Sequence, residues 1–356
     1  MASTSYGVND TLSNKLWAKK LSAEALKETY FGKFMGTGSD NMIQLKPETS
    51  TAAGDSVTFG LRMQLSGDGV TEAQTLEGNE ESLTTYADKV LINELAHAVR
   101  VRNKNTIDAQ RVPFNLRDEA KMGLKDWFSG RFDTAMFLHL AGYTLQTDPR
   151  YTGNNAITAP SSARIYRPTG TDDATVNADT TKTFNLAVID ACVERAGVAS
   201  PLIRPIRIEG ENKFLMFLHD YQVTDLRTNT SSGQWLDIQK AALAGGAGSK
   251  SPIYTGALGE YNGVILHKSN RIPTGISNAG AAQTSTRRAV FCGAQAGALA
   301  FGKEFSEGVN YKWVEQLFDY ERELGVSAQT IWGVKKAVFN GQDFGTIVAT
   351  TYAVAH

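Results

Sequence analysis

The chain of 356 residues predicts an α+β fold, and three observations carry that expectation. One long stretch with marked ends, Leu116 to Ala141, has helical periodicity. A two-residue alternation runs out from Ser56 to Leu65 and returns from Leu83 to Val101. The last 50 residues read as strand segments, with Asn340-Gly341 and Phe344-Gly345 as breaks between them. Periods of 3.6 and 2 within one chain, and not in strict βαβ alternation, are the pattern of an α+β protein.

The helix comes first because it is the longest element, about 26 residues or roughly 39 Å at the α-helical rise. Asn115 suits the N-cap, Asp118 and Glu119 put negative charge in the first turn, and Gly142 suits the far end. Leu116, Ala120, Leu124, Trp127 and Phe128 share about a third of the circumference, with Lys121, Lys125 and Asp126 facing elsewhere, so the first half should lie on a surface. From Phe132 to Leu140 the apolar character spreads all round, which predicts burial on several sides. Gly123 and Gly130 are costly in a helix interior and suggest a close approach or a bend.

The other elements follow in order. Leu12 to Phe34 has helical spacing at Ala23, Leu26, Tyr30, Phe31 and Phe34, an arm. Met42 to Leu45, stopped by Pro47, reads as an edge strand. The hairpin alternates Val57, Phe59, Leu61, Met63 and Leu65 against polar neighbours. Tyr143 to Thr180 is rich in Pro, Gly, Asn and Thr and reads as a long surface loop without a core. A helix with Phe184, Val188, Cys192 and Ala196 at steps of four closes at Gly197. Strands Leu202–Ile208 and Phe214–Leu218 follow, then a helix capped by Asp220 and a short helix around Trp235, Ile238 and Leu243. Asn262-Gly263 favours a tight turn before strand Val264–Leu266, residues 274 to 288 form a second polar loop, and Ala289–Cys292 starts a return toward the first domain. The C-terminal strands are expected to finish the sheet that packs on the long helix.

Charge is sorted along the chain although it cancels overall, at 36 bases and 37 acids. Between Met63 and Asp88 lie Asp68, Glu72, Glu77, Glu80, Glu81 and Asp88 with no Lys or Arg. From Lys89 to Arg131 nine bases, among them Arg100, Arg102, Lys104 and Arg111, face five acids. A solvated loop accounts for the acidic tip on its own. The alternative is that the tip (Asp68, Glu72, Glu77, Glu80, Glu81) docks on the basic zone (Arg100, Arg102, Lys104, Arg111) of a neighbouring copy, a head-to-tail contact that propagates.

Chemistry is sparse. Gly245 to Ser251 resembles a phosphate loop, but Ser249 stands where glycine must precede the lysine, so a flexible linker is expected. His97, His139, His219, His267 and His356 are scattered without partners at metal-ligand spacing, and His219-Asp220 reads as a strand end and cap. Cys192 and Cys292 are expected to be buried free thiols. No catalytic residue, cofactor or metal is expected. No apolar run approaches the roughly 20 residues that span a bilayer, and Met1 to Tyr6 lacks a leader's charge and apolar core, so no membrane role is expected.

A resemblance joins these elements. Leu16-Trp17-Ala18-Lys19-Lys20, Gly54-Asp55-Ser56-Val57-Thr58-Phe59, Leu76-Glu77-Gly78-Asn79-Glu80-Glu81, Arg111 to Arg117, Tyr254 to Val264 and Ile331 to Gly341, in that order, resemble a major capsid protein family of tailed bacteriophages. The resemblance spans roughly residues 11 to 350, and its specificity lies in the ordered set. It implies the Johnson fold: an N-terminal arm (1–44), an extended hairpin loop (45–107), a peripheral domain with a long spine helix and surface loop (108–180), an axial domain (181–300) and a return to the peripheral domain (301–356). It implies a shell protein that self-assembles into hexamers and pentamers of an icosahedral head around double-stranded DNA, made in the host bacterial cytoplasm and ending in the virion. A separate scaffolding protein and a portal are the implied partners, and decoration proteins are left open. Near-zero net charge suits a container that encloses DNA without gripping it. Some relatives in the wider fold class fuse neighbours through a lysine–asparagine bond, and the lysine-free tip predicts noncovalent closure instead. The alternatives are a cellular nanocompartment shell of encapsulin type, or an α+β enzyme or ligand binder using residues 184–266.

Overall fold

A computed structural model describes residues 28–46, 56–62, 69–80 without 73, 85–102, 107–111, 115–229 without 209, 259–302 and 311–356, with the single positions 25 and 231. Most of the expected arm helix, the helix around Trp235 and the glycine-rich 245–251 stretch lie outside these residues.

The strands in chain order are β1 (Met35–Gly36), β2 (Ile43–Lys46), β3 (Ser56–Arg62), β4 (Thr85–Leu91), β5 (Asn93–Arg102), β6 (Ile165–Tyr166), β7 (Ile206–Ile208), β8 (Glu211–Leu218), β9 (Gly259–Tyr261), β10 (Val264–Lys268), β11 (Gly275–Ile276), β12 (Ala282–Gln283), β13 (Thr286–Cys292), β14 (Gly297–Phe301), β15 (Lys312–Phe318), β16 (Glu323–Lys336), β17 (Val338–Phe339), β18 (Gln342–Asp343) and β19 (Thr346–Tyr352). They form two main sheets.

The first sheet is built on β16, whose alternate residues Leu324, Val326, Ala328, Thr330 and Trp332 are buried. It pairs antiparallel with β5 over Glu323–Trp332, with β15 over Glu323–Gln329 and with β14 over Trp332–Lys336. Beyond β14 lie β2 and then β1, both joined in parallel. Residues Ile43 and Gln44 therefore pair on both sides, which corrects the edge-strand expectation: two residues of the preceding segment cover that edge.

The long helix runs Leu116–Ala141 as expected. Asn115 Oδ1 accepts from the Arg117 amide, and Gly142 ends the helix in the left-handed region at φ 63°. Ala120, Leu124 and Phe128 are buried in its first half, and every residue from Ala135 to Ala141 is buried in its second. The partners are those the circumference predicted. Phe132 meets Trp332 of β16 with ring centroids 4.9 Å apart, and the arm's Phe31 meets Phe137 at 4.6 Å. Gly130 does permit a close approach, since a Cβ there would sit 3.0 Å from the Arg271 guanidinium, whereas Gly123 faces open space. At the helix start Arg117 Nη2 lies 2.7 Å from buried Glu315 Oε1, which also accepts from Trp313 Nε1 at 2.8 Å. That pins the first turn to β15.

The second sheet has the order β6-β19-β13-β8-β10-β9, with β7 added on β8. Helix Leu186–Val198 buries Leu186, Val188, Ile189, Cys192 and Ala196 against it. The helix continues through Gly197, because that glycine faces open space and the chain turns extended only at Ala199. The next cap is His219 rather than Asp220: His219 Nδ1 accepts from the Tyr221 amide, while the His219 amide donates to Gln222 Oε1. Asn262 at φ 48° and Gly263 at φ 71° make the tight turn between β9 and β10.

Three expectations fail on topology. The C-terminal strand β19 does not join the sheet on the long helix; it pairs with β13 along Thr286–Cys292, so the chain's end completes the second sheet. The limb returning from Leu83 is not one hairpin strand. It breaks at Ile92, with β4 on β3 and β5 on β16. The segment 143–180 is not one structureless surface loop: it contains helices Pro149–Thr152 and Asp173–Ala178 and strand β6, and Asp173 is fully buried. The polar stretch 274–288 is likewise ordered as β11, β12 and the start of β13. In both stretches buried polar side chains do the work that periodicity cannot announce.

Candidate intersubunit surface

The hairpin strands β3 and β4 pair from Ser56↔Leu91 to Arg62↔Thr85. Alternation buries Val57, Phe59, Leu61 and Val90, which pack on Ala298, Ala300, Ala337 and Phe344 of the same chain. The apolar face that an isolated ribbon must cover is thus covered at home. Asp88 adds an ion pair to Lys335 at 2.5 Å and accepts from the Val338 amide at 3.2 Å.

The tip follows a different logic. Glu72, Glu77 and Glu80 are exposed, as is Leu76, while Asp68 and Glu81 lie outside the described residues. Local turns order it: Gly78, at φ 89°, donates to Glu80 Oε2 at 2.8 Å, and Asn79 Nδ2 donates to Thr75 O at 2.8 Å. The basic zone is partly committed within the subunit. Arg100 lies 3.3 Å from Glu323 and stacks over Phe318 at 3.9 Å, and Arg102 reaches the same carboxylate at 4.0 Å. Their side chains stay 55% and 45% exposed. Arg111 is exposed at the end of helix Ile107–Arg111, and Lys104 lies outside the described residues. The tip carboxylates and the two arginines share a chain but make no contact with each other among the described residues.

Sequence reasoning missed the polar groups that position these surfaces. Asp173 Oδ2 accepts from Arg288 Nε at 3.0 Å, Arg288 Nη2 at 2.8 Å and the Ile276 amide at 2.9 Å, and Oδ1 pairs with Arg167 at 2.5 Å. Burial by itself raises this carboxyl's pKa, but Arg288 and Arg167 outweigh it and hold it below the usual carboxylate range. Arg288 Nη1 also donates to Ala141 O and Gly142 O, at 3.3 and 3.0 Å, which places a cation at the negative end of the long helix. Lys336, paired with Asp343 at 2.8 Å, is equally buried, and burial lowers its pKa. Beneath the arm, a cleft of about 550 Å³ is lined by Tyr30, Asp133, Asp220, Lys268 and Arg271 among others. There Asp133 Oδ2 accepts from the Tyr30 amide at 3.0 Å and from Arg271 at 2.8 Å, and burial pushes its pKa up to about 6.

No group of three or more His, Cys, Asp or Glu residues suited to a metal converges among the described residues. Both cysteines are free and buried, and no described helix is long and apolar enough to cross a membrane.

Comparison with known proteins accounts for this assembly of parts. The phage capsid protein family matches residues 5–355. The major capsid protein of Pseudomonas phage KPP25 is 27% identical over 362 residues, covering 93% of each chain. The solved capsid of Ralstonia phage GP4 aligns over 99% of both chains with a TM-score of 0.76 and 30% identity. The cyanophage Pam1 capsid, 21% identical with a TM-score of 0.67 over 93% of this chain and 94% of that one, shares the fold. The relatives are structural proteins of phage heads, and the Johnson fold expected from the sequence is the fold they share. With a match that runs nearly from end to end, the chain belongs to the phage capsid protein family.

Proposed function

We propose that this major capsid protein closes an icosahedral phage head as hexamers and pentamers through its acidic hairpin tip, which reaches the basic flank of a neighbouring copy. The observation that carries the shell reading is the alignment with the GP4 capsid over 99% of both chains. The docking reading rests on the exposure of Glu72, Glu77 and Glu80 together with the partial exposure of the basic side chains Arg100 and Arg102. Since Glu323 already neutralises part of that flank, each single cross-subunit ion pair is worth little, and repetition around the shell supplies the sum. Arg111, with Lys104, Asp68 and Glu81 from outside the described residues, completes the set.

The near-cancelling charge, 36 bases against 37 acids, supports a wall that encloses double-stranded DNA without sequence-specific grip. A separate scaffolding protein and a portal are the partners this reading implies, with decoration proteins left open and synthesis in the host bacterial cytoplasm. The division into arm 1–44, hairpin 45–107, peripheral 108–180, axial 181–300 and return 301–356 belongs to the same proposal, with β19 crossing back to the axial sheet. Electron microscopy of the expressed chain tests it. Closed shells or rings of five and six subunits are expected, and a protein that stays monomeric under all assembly conditions would overturn it.

A further inference from the structure

The hairpin's apolar footing is only part of what holds it against the body. Three of the four fully buried side chains beneath it are alanines, Ala298, Ala300 and Ala337, and the larger contacts are Phe344 and the stack of Phe339 on Tyr86, with ring centroids 4.1 Å apart. Polar contacts add to it: beside the bonds from Asp88 to Lys335 and the Val338 amide, one buried amide side chain holds the backbone of each strand at two points. On β3, Gln295 Oε1 accepts from the Arg62 amide at 3.0 Å while its Nε2 donates to Gly60 O at 2.9 Å. On β4, Asn155 Oδ1 accepts from the Leu91 amide at 2.9 Å while its Nδ2 donates to Leu91 O at 2.7 Å. Each amide thereby satisfies a donor and an acceptor as an adjoining strand would.

Gln295 reaches further than the hairpin. It is 1% exposed, sits in the left-handed region at φ 54°, and accepts a third bond from Arg204 Nη2 at 2.8 Å. Its Nε2 also reaches Gln44 Oε1 at 3.3 Å on β2. Arg204 in turn donates to Ser39 O at 3.0 Å, and its backbone oxygen accepts from the Ala294 amide at 2.8 Å. A non-glycine residue held left-handed inside such a set is over-determined by its neighbours, as functional joints tend to be.

We propose that Gln295 and Asn155 are a pair of amide clips that fix the direction in which the hairpin leaves the subunit, and that Gln295 ties this direction to the second sheet through Arg204, so that the clips set shell curvature. This rests on the shell-forming role proposed above. In a shell, a small change of hairpin direction repeats at every subunit and alters closure, whereas the subunit's folding core is untouched.

The test compares wild type, Gln295→Asn and Asn155→Ala as full-length chains. Asparagine tolerates the left-handed backbone but is one methylene too short to span Gly60, Arg62 and Arg204. Amide exchange followed by mass spectrometry should quicken roughly tenfold, the loss of one to two hydrogen bonds, in Ser56–Arg62 for the first variant and Thr85–Leu91 for the second. Exchange in Thr286–Cys292 should not change, and electron microscopy should show shells of scattered diameter. Variants that build shells of wild-type diameter would overturn the clip proposal, whether exchange quickens or not. Failure of the wild-type chain to form shells would instead count against the shell reading. Should Gln295→Asn not fold, Asn155→Ala, which alters no left-handed residue, decides the matter.

Discussion

Replacing Arg288 by Met is the sharpest test of how the subunit is held together. The side chain is buried, with Asp173 as its ion partner and the last carbonyls of the long helix as its acceptors. Methionine keeps most of the volume and removes the charge. Asp173, fully buried, then keeps Arg167 as its ion partner and the Ile276 amide as its other donor, and Ala141 O and Gly142 O lose the Arg288 donor. Removing one partner of a buried pair costs about 3–5 kcal/mol, against a total stability of about 5–15 kcal/mol. With a urea slope of about 3 kcal/mol/M the midpoint should fall by about 1–1.7 M. Adding Asp173→Asn to Arg288→Met neutralises the orphaned carboxylate and should recover part of the loss, a coupling that two independent sites would not show. The folded carboxyl titrates below its unfolded value near 3.9, so its stabilisation is present above that pH and lost as pH falls through the lower folded value. The penalty of Arg288→Met should therefore shrink below pH ~4. As a control, Arg150→Ala at the exposed Asp148 pair should leave the midpoint where it was. A loss under about 1 kcal/mol in Arg288→Met, or a double variant no more stable than the single, would refute this account.

Four further outcomes are expected. Asp133 titrates near 6 because burial outweighs the bonds from Tyr30 and Arg271, so its contribution is present below pH ~4 and lost as pH rises through about 6; Asp133→Asn should flatten the stability profile between these values, and an unchanged slope would contradict it. Asp225, also pushed up to about 6 by burial, should supply the slope that remains. Reversing Glu77, Glu80 and Glu81 to Lys should impair assembly while thermal unfolding stays within a degree or so, since exposed charges carry little folding energy; normal shell yield would make the tip a solvated loop. Gly142→Ala should cost at least about 1–2 kcal/mol for the left-handed backbone, and more because its Cβ would lie 2.6 Å from Pro160 Cδ, as scanning calorimetry can measure. Cys192, whose thiol burial pushes up to about 12, and Cys292 should resist thiol reagents in native subunits and react on unfolding.

The sequence disclosed those parts of the fold that follow a period. The long helix could be read to the residue because Asn115 and Gly142 are local signals and its apolar stripe widens where the arm and β16 cover it. Strand β3 was equally plain, with Val57, Phe59 and Leu61 inward. What could not be read was partnership. The alternation of Asn93–Arg102 is the same whether its neighbour is β3 or β16, and register depends on a strand more than 220 positions away. The destination of β19 was hidden for the same reason. Of the candidate surface, Glu72, Glu77 and Glu80 are exposed, as both a docking tip and a solvated loop would have them, whereas Glu323, which engages Arg100 and Arg102, sits in a remote turn-flanking position without a signal of its own.

The polar segment 143–180 was misread for a physical reason that bears on function. Pro, Gly, Asn and Thr in a run usually mean solvated backbone, because few proteins bury that many polar groups. Here a few of the polar groups, Thr152, Asn155, Arg164 and Asp173, are buried with partners, and two kinds of pairing do different work. Charges such as Asp173 with Arg288 join the helix end to the second sheet, and their loss should register as subunit instability. Amides such as Asn155 on Leu91 carry no net charge and touch only the hairpin's edge, so their loss exposes no orphaned ion in the core. A substitution at Asp173 should therefore be read first in a denaturation curve, and one at Asn155 first in the diameter of the shell.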